Sequence, residues 1–111
     1  MSTQWRSALS QAMIEDLRVI IVASSAKKAT EMFDEMRGYV PPASDAHISR
    51  VNGRQKIEFP PGGRVRFSSG KSLRGASADK LYLSKDVARH LYKDDVDEVV
   101  MTSRFPEVIL F

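Results

Sequence analysis

Arg18-Val19-Ile20-Ile21-Val22-Ala23-Ser24-Ser25 is the stretch that decides how this chain folds. Four β-branched residues in a row are apolar on both parities, the pattern of a strand covered on both faces. Two serines follow at once and can cap a helix. Ala29, Met32, Phe33 and Met36 then recur at spacings of three and four, with Lys27, Glu31, Asp34 and Glu35 mostly off that stripe. A central strand running straight into an amphipathic helix is the opening of an α/β sheet. Gly38 and the Pro41-Pro42 pair end the helix, and Met32 and Met36 read as core fillers.

Outward from this unit, the pattern before it is helical and the pattern after it is not. Trp5, Ala8, Leu9, Ala12 and Met13 predict an N-terminal helix over residues 1–16, capped by Ser2 or Thr3. Beyond the prolines the period drops to two. Ile57 and Phe59 alternate with Lys56 and Glu58, and Val65 and Phe67 with Arg64, Arg66 and Ser68. Pro60-Pro61-Gly62-Gly63 supplies the turn between them, and Asn52-Gly53 pairs His47 to Val51 with the Gln55 to Phe59 strand. The result is an antiparallel β-ribbon over residues 45–69. A Gly- and Ser-rich connection over 68–79 leads to a strand at Lys80-Leu81-Tyr82-Leu83. Helices capped by Ser84 and by Asp94 or Asp95 follow, and Val108 to Phe111 makes a last buried strand. The expected fold is a single α/β domain over residues 1–111, a small, mainly parallel sheet covered by helices with an antiparallel hairpin insert.

With 111 residues, 42% of them hydrophobic, one such domain can bury a real core. The absence of cysteine excludes a disulfide framework and a thiolate metal site. His47 and His90 are the only histidines. His90 lies near Asp86, Asp94 and Asp95, but without a second imidazole this reads as a solvated helix face and not as a metal site. No G-x-S-x-G elbow supports a Ser/His/Asp nucleophile, and Asp94-Asp95 and Asp97-Glu98 read as helix caps and surface charge. Neither a signal peptide nor a membrane-length apolar run is present, which points to a soluble intracellular protein. The net charge of +3 is unevenly spread: zero over residues 1–44, +6 over 45–85 and −3 over 86–111.

Four segments, in order, resemble the ATPase domain of phage terminase large subunits and, more broadly, RecA-like P-loop NTPase cores. Arg18 to Ser24 with the helix after it resembles the strand and helix that follow the phosphate loop. Lys56 to Ser68 resembles the family's hairpin. Leu73-Arg74-Gly75-Ala76-Ser77-Ala78-Asp79 is the most specific match, because such a segment leads directly into the Walker B strand, here Lys80 to Leu83. Val108-Ile109-Leu110 matches the strand after that. Together these span roughly residues 18–111.

The departures from that pattern bear on function. The resemblance implies Asp-Glu at the end of the Walker B strand, the Asp for Mg²⁺ and the Glu for the attacking water. Ser84 and Lys85 stand there instead. Gly70-Lys71-Ser72 looks like the end of a phosphate loop, yet position 65 is Val, and Leu73-Arg74-Gly75 is a poor helix start. The sequence therefore predicts a degenerate core that is not an enzyme, with no catalytic residue, cofactor or metal.

Two binding roles remain. The first is protein–protein interaction, by self-association as a homo-oligomer or dimer or with a host or phage protein, since a truncated sheet leaves an edge uncovered. The second is sequence-tolerant DNA binding through Arg50, Arg54, Lys56, Arg64, Arg66, Lys71 and Arg74 on and after the ribbon. Phe59 and Phe67 are expected to point inward, so contact would be to phosphates and not by base stacking. The expected setting is the cytoplasm of an infected bacterial host, away from any membrane.

Overall fold

The computed structural model describes residues 4–50, 55–60, 62–68, 78–84 and 107–111. Among these the β-branched run forms β1 (Arg18–Val22), buried from Val19 onward. Helix α2 (Ala26–Arg37) follows with Ser25 as N-cap, its side chain accepting a hydrogen bond from the Lys28 N–H. Ala29, Met32, Phe33 and Met36 are its buried residues, the stripe read from the spacing. Gly38 closes it in right-handed backbone geometry, its N–H donating to the Glu35 carbonyl and the next N–H, of Tyr39, to the Met36 carbonyl.

The N-terminal segment is shorter as an α-helix than its apolar spacing suggests. A 3₁₀ turn, Gln4–Arg6, precedes α1 (Ser7–Ile14), in which Ala8 and Ala12 are buried. Two alanines on the buried side let this helix lie close to the sheet. Asp16 ends the segment in the left-handed region, φ 59°, the usual device for stopping a helix, here with Asp in place of glycine.

To one side of β1 in the sheet lie β2 (His47–Ser49) and β3 (Lys56–Glu58), and to the other β5 (Lys80–Leu83) and β6 (Glu107–Leu110). With β4 (Arg64–Ser68) beside β1, the order is β2-β3-β4-β1-β5-β6. The pairs β4–β1, β1–β5 and β5–β6 are parallel, while β2–β3 and β3–β4 are antiparallel. The hairpin enters the sheet itself through β4, whose Val65 and Phe67 stand beside Val19 and Ile21. The fold is thus a mixed, mostly parallel α/β sheet with α1 and α2 on one face.

That helix-covered face carries the main core. Val19, Ile21, Ile57, Val65, Phe67 and Tyr82 meet Trp5, Ala8, Ala12, Met32, Phe33 and Met36. Phe33 and Phe67 stack edge to face at 5.7 Å. On the opposite face Ile20, Val22, Leu81 and Leu83 form a second buried row. The helices read from Val87 onward, the Asn52-Gly53 turn, the segment 69–77 and the Ser2/Thr3 cap lie outside the described residues.

Candidate functional site

Strand parity divides the basic residues. Lys56 stands opposite Arg66 and Glu58 opposite Arg64, so all four share one face, the one away from α1 and α2. Arg18 joins them beside Arg64. Arg50 does not. It sits two residues past the core-packed Ile48 and reaches back to the helix side, where Nη2 lies 3.5 Å from Asp34 Oδ1 of α2. Arg54, Lys71 and Arg74 lie outside the described residues. The structure therefore brings together Lys56, Arg64 and Arg66, and separates Arg50 from them.

Acidic neighbours partly neutralise this face. Lys56 Nζ lies 3.2 Å from Glu58 Oε1, and Arg18 Nε lies 3.4 Å from Asp79 Oδ2. Among the described residues no carboxylate forms an ion pair with Arg64 or Arg66. Phe59 and Phe67 are buried on the other side, as the alternation predicts, so the basic face presents no ring for base stacking among the described residues. What it offers is two half-buried guanidinium groups on one strand, able to contact phosphate.

The second feature is the β6 edge. Among the described residues β6 pairs only with β5. Ile109 and Phe111 pack against the core, whereas Val108 and Leu110, 39% and 47% exposed, extend the apolar row of the opposite face into solvent. The other edge strand is different. β2 has three residues, begins at an exposed His47 and lies just after Pro41 and Pro42. Short, polar edges near proline are poor templates for further pairing, and apolar ones are good templates.

Where the resemblance implies an acidic pair, β5 is followed by Ser84, whose N–H donates to the Val22 carbonyl at 3.0 Å. Lys85 lies outside the described residues. Among the described residues no three His, Asp or Glu side chains converge as a metal site, and no helix is long and apolar enough to cross a membrane. A surface hollow of about 230 Å³ lies between the helices, lined by Arg6, Leu9, Met36 and Tyr39. Glu35, hydrogen-bonded to Arg6 at 2.8 Å, holds that guanidinium's pKa above its ordinary value.

Three polar contacts had no signal in the local pattern. Asp79 binds Arg18, Tyr82 Oη donates to Gln11 Oε1 at 2.8 Å, and buried Gln55 donates to Thr30 Oγ1 at 2.9 Å. All join segments far apart in the chain and belong to the scaffold, not to a site. Comparison with family models, curated proteins and solved structures finds no match for this chain.

Proposed function

We propose that this chain is a non-catalytic binding protein that works by protein–protein association at the β6 edge of its sheet. One observation carries the reading: an edge strand with Val108 and Leu110 exposed beside a backbone that has no second strand partner among the described residues. An exposed apolar edge of this kind favours a further strand, because pairing satisfies its outward amides and covers its side chains together. The resemblance to the terminase ATPase core supports a phage origin and a place of work in the cytoplasm of an infected bacterium. Ser84 and Lys85 in place of Asp-Glu support a role without ATP hydrolysis.

A photo-reactive leucine analogue at position 110, irradiated in a bacterial extract, tests the reading. A discrete protein adduct, abolished by Val108→Lys, is the expected result. The second reading, sequence-tolerant DNA binding, is favoured by Arg64 and Arg66 sharing one face of the ribbon with Lys56. No adduct, together with DNA binding lost in an Arg64→Ala/Arg66→Ala chain, would give the function to that face instead.

A further inference from the structure

The backbone of β6 dictates what an added strand has to look like. Phe111 donates its N–H to the Leu83 carbonyl of β5 at 3.0 Å. Because successive residues of a strand direct their amides to opposite sides, Ile109 faces β5 as Phe111 does, and Val108 and Leu110 face outward. The two residues whose side chains are exposed are therefore also the two whose N–H and C=O groups point away from β5, with no strand partner among the described residues.

This arrangement is complementary to itself. In an antiparallel pair, directly opposed residues alternate between pairs that exchange both backbone hydrogen bonds and pairs that exchange none. With a two-fold axis through Ile109, Val108 of one copy stands opposite Leu110 of the other, and the reverse. Both pairs are then of the hydrogen-bonded kind, as the outward amides require. Ile109 opposes Ile109 in the non-bonded position, where side chains approach most closely. Glu107 falls opposite Phe111 and not opposite its own copy. A one-residue slip in either direction puts outward side chains beside inward ones and leaves the amides mismatched.

We infer that the occupant of the β6 edge is β6 of a second copy of this chain, paired antiparallel about Ile109 to make one sheet continuous across a two-fold dimer. This rests on the binding role proposed above and names its partner. Isologous contacts of this type bury the same patch on both subunits and close without leaving a further edge of that kind.

Sedimentation equilibrium of the whole chain tests it, with loading from about 10 to 300 µM, since so small an interface associates weakly. The sedimented mass is expected to rise towards twice that of the chain. Leu110→Pro removes one outward N–H and no inward one, a change an edge strand tolerates, and it should return the mass to that of a monomer. Leu110→Thr keeps the N–H and should still associate. A measurement without any substitution supports these: amide exchange at Val108 and Leu110 should slow about ten-fold or more from low to high concentration, while Ile109 stays protected throughout. A wild-type chain that stays monomeric across the range, or a dimer that Leu110→Pro leaves intact, overturns the inference. If the monomeric chain still gives the Leu110 adduct with another protein, self-pairing fails while the binding role stands.

Discussion

Arg18 and Asp79 hold each other by backbone and side chain at once. The Arg18 N–H donates to Asp79 Oδ2 at 2.9 Å, and the Asp79 N–H donates to the Arg18 carbonyl at 2.7 Å. The guanidinium adds contacts of 3.4 and 3.5 Å to the same carboxylate. Sixty-one residues apart in sequence, the pair fixes the entry of β5 beside that of β1 and so sets the register of the sheet's centre.

Removing that carboxylate should therefore be costly. Asp79→Ala leaves a partly buried backbone N–H without its acceptor and is expected to lose about 1–3 kcal/mol in urea unfolding. Asp79→Asn keeps an acceptor oxygen and should lose less. Equal losses in the two variants would mean that the charge, and not the backbone contact, is what stabilises the entry.

Gly63 is required by close approach. A Cβ there would stand 1.9 Å from the Ala12 carbonyl oxygen, inside backbone that cannot rotate away. Gly63→Ala should cost about 3 kcal/mol or more, because α1 must lift from the β3–β4 turn. Its neighbour is the control. At Gly62 the nearest atom to an added Cβ is Asp16 Oδ1 at 3.9 Å, so Gly62→Ala should stay within about 1 kcal/mol of wild type. Thermal melts of the two single variants decide it.

The hydroxyl of Tyr82 ties the sheet to α1 through Gln11. Tyr82→Phe and Gln11→Ala should each destabilise by about 0.5–1.5 kcal/mol. The double variant should fall short of the sum, with a coupling of at least about 0.5 kcal/mol. Strict additivity would show that each residue acts through its packing alone.

These contacts mark where sequence reading stops. Val19 to Val22 and the Ala29/Met32/Phe33/Met36 stripe were legible because burial writes itself into local periodicity. The Lys56–Ser68 hairpin was legible because turn chemistry and alternation coincide at Pro60 to Gly63. That β4 and β5 flank β1 was not, since parallel neighbours are joined by long connections with no local signature. The seven-residue basic cluster was legible as composition but not as a surface. Parity carries Arg50 to the helix side with Asp34, and the Lys56–Glu58 pair, two residues apart, is invisible to a count of cations. Asp79 stood out in sequence only through its resemblance to a family motif, and its bond to Arg18 gives it a structural reason of its own.

Charge on the ribbon supplies the sharpest test of the DNA-binding alternative. Arg64 and Arg66 have no acidic partner among the described residues, whereas Lys56 is held by Glu58. If the face binds DNA, Arg64→Ala/Arg66→Ala should weaken binding for all sequences alike and lower the salt slope by about 2. Lys56→Ala alone should matter less, because its charge is already compensated. Glu58→Gln should act in the opposite direction: it releases Lys56, removes a negative charge facing Arg64 and strengthens binding several-fold at low salt. Fluorescence anisotropy of labelled duplex and single-stranded DNA measures all three. Affinity that rises with Glu58→Gln and falls with the double arginine variant makes this face a phosphate-binding surface. Affinity indifferent to both changes, or no binding at low salt, leaves these charges as solvated surface and the β6 edge as the working part of the protein.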